Sequence, residues 1–200
     1  LGDDLRLEGD GPGADRAYLR QLRASLRDPE LIAAADALLG NDPVTAHRRL
    51  SALLARRPND PDALRMFADL AARSGRHHDA ELLLARCLGQ VPGAAAARCA
   101  YAISLHQQGK SLETVAQTDV LLRQHSGHPV YRQLRAAALM RIGEYQQAAE
   151  AYREVLQARP GLALTWMGHG HVLKALGQQV EAVAAYREAL RLRPSLGEAW

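Results

Sequence analysis

The sequence predicts an all-α fold of tandem antiparallel helix pairs. Three observations predict it. Gly75, Gly109, Gly143 and Gly177 recur at one constant spacing. Pro58, Pro92, Pro160 and Pro194 recur in phase with them. Small residues recur in phase on both sides of the glycines. A fixed period of this length, about 34 residues, is one supersecondary unit copied in tandem. Such a unit cannot bury its apolar face alone, so neighbouring units share a continuous core. The 200 residues are rich in Ala and Leu, with aromatics at only 4%. That suits closely packed helices, and no sustained period-2 alternation marks a strand.

With the glycines at position 15, units begin at Arg27, Pro61, Ala95, Pro129 and Ala163. Position 8 is then Ala34, Ala68, Ala102, Ala136 and Gly170, and position 20 is Ala46, Ala80, Thr114, Ala148 and Ala182. These small residues let the two helices of a unit approach closely. Position 27 is Leu53, Cys87, Leu121, Val155 and Ala189, and position 24 includes Leu50, Leu84, Thr118, Tyr152 and Tyr186. They fill the space between units. Proline at position 32 cannot continue a helix and marks its end. Glycine at position 15 accepts the left-handed backbone common at helix ends. Asn41 takes its place in the first unit.

Along the chain, residues 1–14, rich in Gly and Asp, predict an extended arm. Residues 15–26 place Leu19, Leu22 and Leu26 at helical spacing behind Asp15, predicting a short capping helix over the first unit. Repeats are expected at 27–60, 61–94, 95–128, 129–162 and 163–196. In each, positions 1–14 form helix A and about 18–31 form helix B. Residues 197–200 then open a truncated sixth repeat, with Trp200 at its position 4. Helix B of the fifth repeat, with Val183, Tyr186 and Leu190, is expected to lack a covering helix. Self-association through that uncapped end is the expected consequence, and the chain reads as part of a larger protein.

These columns resemble the tetratricopeptide repeat family over residues 27 to 200. The fifth unit is closest, with Trp166, Gly170, Leu173, Gly177, Ala182, Tyr186, Ala189 and Pro194 on signature positions. The resemblance implies a right-handed superhelical solenoid of about five repeats plus an N-terminal helix. It also implies a scaffold that binds a peptide or protein segment in a concave groove lined by the A helices. Longer stretches are also similar to the repeat region of bacterial sulfotransferases. They include 97–106 (ARCAYAISLH), 131–145 (YRQLRAAALMRIGEY) and Trp166-Met167-Gly168-His169-Gly170-His171. That resemblance implies a substrate-docking or assembly arm whose catalytic domain lies beyond residue 200. A structural role in envelope or secretion assembly is a third reading.

The family's groove positions on helix A select Asp62, Arg65, Asp69 and Arg73 in its early part. Later come Ile103, His106, Gln133, Met140, Met167, His171 and Lys174. Methionine adapts to irregular apolar partners, so the groove reads as a seat for a segment with apolar anchors. Family members that grip a carboxylate terminus use Lys at position 5 and Asn at position 9. Here position 5 is Leu31, Arg65, Cys99, Gln133 and Met167. An asparagine ladder for a peptide backbone is also missing from position 6.

No catalytic grouping stands out, and these residues read as non-enzymatic. Gly109-Lys110-Ser111 ends like a phosphate loop, but Ser104 stands where the first glycine is required, and no strand precedes it. His169 and His171, His125 and His128, and His77 and His78 lack the spacing and third ligand of a zinc site. No metal or cofactor is expected. The net charge is +3, with Lys110 and Lys174 the only lysines and the arginines dispersed among acids. Nucleic acid is not an expected partner. No apolar run approaches the roughly 20 residues that span a bilayer, so neither is a membrane. Cys87 and Cys99 predict no disulfide framework, and a reducing cytoplasm is expected.

Overall fold

A computed structural model describes residues 2–199. Among them the structure is all-helical. Helices α1 (Gly2–Leu7) and α2 (Gly11–Ser25) come first, and four helix pairs follow: α3 (Pro29–Leu39) with α4 (Pro43–Arg56), α5 (Pro61–Arg73) with α6 (His77–Gln90), α9 (Pro129–Arg141) with α10 (Tyr145–Ala158), and α11 (Ala163–Ala175) with α12 (Gln179–Leu192); α7 (Ala95–Gln107) and α8 (Ser111–Gln124) come between α6 and α9 in the chain. A 3₁₀ segment, Pro194–Ala199, follows. Helices α5, α7, α9 and α11 start at 61, 95, 129 and 163, the same spacing as the glycines. Helices α4, α6, α8, α10 and α12 start at 43, 77, 111, 145 and 179, one position earlier than expected. Trp200, expected at position 4 of a sixth repeat, lies outside the described residues.

The turns after α3, α5, α7, α9 and α11 each contain one left-handed residue. Gly75, Gly109, Gly143 and Gly177 have φ of 74°, 77°, 84° and 77°, and Asn41 takes φ 57° in the first pair. Asn is among the few residues that adopt this region readily, so the substitution preserves the turn. The preceding helix is closed by backbone bonds across that residue. Arg76 N donates to Ala71 O (2.9 Å), Lys110 N to Leu105 O (3.0 Å), Glu144 N to Leu139 O (3.0 Å) and Gln178 N to Leu173 O (3.0 Å). At the other end, Asp28, Asp42 and Asp60 cap α3, α4 and α5 by accepting backbone N–H bonds, each followed directly by proline. Asp28 and its proline also start α3 at Pro29, two residues after the expected first position.

Position 8 of each unit is buried, with Ala34, Ala102 and Ala136 fully so. So is position 20, where Thr114 is as inaccessible as Ala46, Ala80 and Ala148. Thr118 fills a core position because its Oγ1 donates back to Thr114 O (3.0 Å) and Val115 O (2.9 Å). Cys87 is buried and its thiol donates to Pro61 O at 3.4 Å, and both cysteines are thiols rather than disulfide partners. Glycine at position 8 of the last pair admits a ring. A Cβ on Gly170 would lie 2.6 Å from Tyr186 Cε1, and one on Gly168 would lie 2.8 Å from Tyr152 Cζ.

The chain divides into two compact units. One is Gly11–Lys110, holding α2 to α7. Its core joins Leu19 and Leu22 of α2 to Leu31, Ala34, Ala35 and Leu38 of α3, so α2 covers the first pair. The other is Asp3–Asp10 together with Ser111 onward. In it α8 packs on α9, α9 on α10, α10 on α11 and α11 on α12.

The first fourteen residues are a correction. They are helical over Gly2–Leu7 and again from Gly11, rather than an extended arm. Asp15 accordingly lies inside α2 rather than at its cap. The first of these helices is held within the second unit. Leu7 is fully buried, Asp3 pairs with His128 at 3.2 Å, and Asp4 pairs with Arg159. Arg193 Nη2 donates to Glu8 O at 2.8 Å. Apolar burial of one leucine and three polar ties outweigh the low helix propensity of Gly and Asp.

On α12, Val183 and Leu190 are 46% and 40% exposed, while Tyr186 turns inward to His171. The 3₁₀ segment lies along this helix, and a Cβ on Gly197 would stand 3.3 Å from Leu190 Cδ2.

Two glycines separate backbone strain from helix propensity. Gly143 has open space around its missing Cβ but a left-handed backbone, whereas Gly89 lies within α6 with equally open space. Gly143→Ala should destabilise by about 1–2 kcal/mol. Gly89→Ala should stabilise by about 0.5 kcal/mol. Urea unfolding followed by circular dichroism measures both, and equal signs would contradict the assignment of the turn.

Candidate functional site

The candidate residues fall in two sets, one on each unit. In the first, Asp62, Arg65, Asp69 and Arg73 repeat at three- and four-residue intervals along α5, so they share one face of that helix. Ile103 and His106 follow on α7, which packs beside α5. Most of this set is already engaged within the unit. Arg73 Nε lies 2.9 Å from Asp69 Oδ2, and Arg73 Nη1 donates to Leu38 O at 3.5 Å. Burial of its carboxyl pushes Asp69 up to about 6, against the pull of Arg73 and helped by the negative charge of Asp15 on α2. Burial also raises Asp62, with Asp60 adding to the rise and Arg65 opposing it. Arg73 thus holds Asp69 from its own helix, while Asp15 on α2 opposes its ionisation.

The second unit carries Gln133 and Met140 on α9 and Met167, His171 and Lys174 on α11, two neighbouring helices. Met140 packs against the cluster of Ala136, Leu139, Ala148 and Tyr152 and stays half-buried. Met167 is half-buried and Lys174 exposed. His171 Nδ1 lies 3.0 Å from Tyr186 Oη, and the two rings meet edge to face at 5.4 Å. Burial lowers His171, and Lys174 lowers it further, so the neutral ring is favoured. Tyr152 is pushed up to about 12 by burial alone and serves as a packing ring. Gln133 Oε1 is sealed from solvent without a hydrogen-bond partner.

The Gly-Lys-Ser sequence is a repeat turn. Gly109 is left-handed, Ser111 begins α8, and Lys110 Nζ pairs with Glu81 Oε2 at 2.6 Å. Gln108 Nε2 bonds the same oxygen at 2.9 Å and His77 O at 3.2 Å, tying the end of α7 to the start of α6. Among the described residues no three His, Cys, Asp or Glu side chains gather as a metal site would require. No described helix is long and apolar enough to cross a membrane.

Sequence reasoning missed one feature of the second unit. A cavity of about 370 Å³ opens where α8 and α10 both pack on α9, lined by Asp119, Leu122, Arg123, Arg132, Arg135, Ala151 and Glu154. Arg135 Nε donates to Asp119 Oδ1 at 2.6 Å, and Arg132 Nε lies 3.2 Å from Glu154 Oε2. The signal was in the register. Arg132 and Arg135 stand at positions 4 and 7 of their repeat, where the fifth repeat has Trp166 and His169.

Comparison with known proteins agrees with this architecture. The tetratricopeptide repeat model matches residues 131–161 and 163–196, which hold most of α9 and all of α10 to α12. Among solved structures, a crystal structure of MamA aligns with a TM-score of 0.75 at 17% identity, covering 86% of this chain and 99% of that one. MamA residues 41 to the end from Desulfovibrio magneticus RS-1 align with a TM-score of 0.76 at 14% identity, covering 90% and 96%. MamA AMB-1 gives 0.76 at 15%, covering 84% and 99%. No curated protein matches the chain. The fold is therefore an all-α helical repeat of the tetratricopeptide type. These matches carry no sign of the sulfotransferase family that several stretches resemble.

The buried carboxyl of Asp69 makes stability depend on pH. Its folded value of about 6 lies above its unfolded value of 3.8, so the folded state binds the proton more tightly. The group therefore opposes folding above pH 6, and this penalty fades as pH falls through 6 toward 4. Thermal unfolding should show a smaller pH 7.5 to 5.5 gain in stability for Asp69→Asn than for the parent chain. The Asp69 carboxyl ¹³C resonance should titrate near pH 6, and higher still in Arg73→Gln. A midpoint near 4 would refute the burial.

Proposed function

We propose that this chain is a protein-binding scaffold that presents its A-helix surfaces to a segment of a partner protein. The observation that carries the reading is the second unit's mixed face, with Met140 and Met167 half-buried beside His171 and exposed Lys174 on adjacent A helices. Half-exposed methionines supply apolar area that adapts to different side chains. Polar neighbours fix orientation, as in peptide recognition by pre-formed helical surfaces. The first unit's face, with Asp69 and Arg73 turned onto each other, offers fewer unengaged groups. The repeat type serves many partners, so the assignment rests on this face rather than on the fold. The partner in this reading is a protein segment rather than nucleic acid or membrane. The buried thiols of Cys87 and Cys99 fit the reducing cytoplasm as its location.

Self-association through α12 is a second reading. It is favoured by the exposure of Val183 and Leu190 on the last helix. Sedimentation of the parent chain and of Val183→Glu with Leu190→Glu decides it, because an unchanged monomer in both would remove this reading.

Partner capture tests the principal reading. Immobilised chain should retain a specific protein, and the double variant Met140→Glu, Met167→Glu should retain at least about tenfold less, since each buried contact would then face an unpaired charge. Circular dichroism establishes that the variant is folded. Full retention by the folded variant would sink the A-helix assignment.

A further inference from the structure

We infer that the cavity between α8, α9 and α10 is a second recognition site, specific for a carboxylate side chain of an acidic peptide. It lies on different residues from the methionine face and is independent of that reading. The cavity brings together three guanidinium groups, those of Arg123, Arg132 and Arg135, and two carboxylates, those of Asp119 and Glu154. Each acid holds one arginine through Nε. The Asp119 bond is 2.6 Å and the Glu154 contact 3.2 Å. A guanidinium carries five N–H donors in a planar fork, so one Nε contact leaves most of them for another acceptor. The two acids engage Arg132 and Arg135 through Nε and leave the Nη donors for another acceptor. Arg123 on α8 adds a third fork from the opposite helix, and no ion pair occupies it among the described residues.

The charge balance selects the ligand. Three arginines against two acids leave one net positive charge, which a single carboxylate neutralises. A phosphate dianion would overshoot it and meet the repulsion of Asp119 and Glu154. Arginine forks and carboxylates pair through two parallel bonds, the strongest form of this contact. The apolar lining from Leu122 and Ala151 lies beside the charged groups. It suits the methylenes of a glutamate and an adjacent apolar side chain, which a small free acid lacks. Ala151 is also what keeps the cavity open, since a larger residue on α10 would fill it. Arginine at positions 4 and 7 creates the site, because in the fifth repeat Trp166 at position 4 bonds Pro160 O with its indole N–H at 2.7 Å and packs against the local core.

The probe is a fluorescein-labelled hexapeptide of alternating glutamate and leucine, with the same peptide carrying glutamine as control. Anisotropy of the glutamate peptide with the full chain should rise to saturation and weaken with salt. Arg123→Gln and Arg135→Gln should each weaken it at least about tenfold, the loss of one charge-assisted contact. Arg123→Gln breaks no ion pair among the described residues, so it tests the site without removing a structural tie. Arg135→Lys should fall between Arg135→Gln and the parent, because it keeps the charge and loses the fork. Equal binding of the glutamine peptide would overturn the proposal, as would unchanged affinity in Arg123→Gln and Arg135→Gln. Displacement of the peptide by an equal concentration of sodium glutarate would overturn its peptide specificity. A chain that captures a partner through Met140 and Met167 yet ignores this probe would overturn this proposal alone.

Discussion

The left-handed residue in the turn that follows α3, α5, α7, α9 and α11 is the constraint on which the rest depends. Within each compact unit one positive φ reverses the chain in a short turn, so α3 and α4, α5 and α6, α9 and α10, and α11 and α12 lie side by side. Only then do the alanine columns face one another. Ala68 and Ala80, or Ala136 and Ala148, are buried because the turn between them brings their helices into contact. Small side chains there allow close approach, and the larger residues at positions 24 and 27 carry the packing to the next pair. The turn therefore sets the geometry and the columns exploit it. Asn41 shows that the requirement is conformational rather than chemical, since the first pair turns in the same way without glycine.

Several polar groups within the packing bond backbone carbonyl oxygens. Thr118 satisfies its hydroxyl on its own helix, Cys87 on Pro61 O, and Trp166 on Pro160 O. Glu81 is met by side chains instead. Burial raises its carboxyl, but Lys110 and Gln108 more than offset this and hold it below the usual range. Asp69 goes the other way because Arg73 does not compensate for its burial. The same charge type on neighbouring elements thus ends with opposite shifts, decided by how many donors reach it.

Most of the helical repeat was legible in the sequence because its determinants are local and periodic. Glycine, proline and alanine columns each act within their own unit, so a one-dimensional pattern captures them. Residues 1–14 were not legible for the opposite reason. Their first helix is stabilised by His128, Arg159 and Arg193, far along the chain, and Gly and Asp composition alone argues against it. The candidate site was legible only as positions on helix A. Which of those side chains stay available depends on neighbours that no column records. Asp69 and Arg73 consume each other, and His171 is claimed by Tyr186 from the following helix.

The fourth and fifth repeats differ where their columns leave them unconstrained. Those columns are equivalent, and the family model matches both repeats. Their turns share the same backbone sign, and their helices keep the common spacing. Yet positions 4 and 7 hold Arg132 and Arg135 in one and Trp166 and His169 in the other. An aromatic residue there spends its surface on the core, whereas arginine keeps its stem in the packing and its charged head at the rim. The helix pair tolerates both because its stability rests on the small columns and the turn. A scaffold held together by few positions leaves the remaining ones free to differ. In this chain that freedom places an arginine-lined cavity in one repeat and an aromatic-packed face in the next.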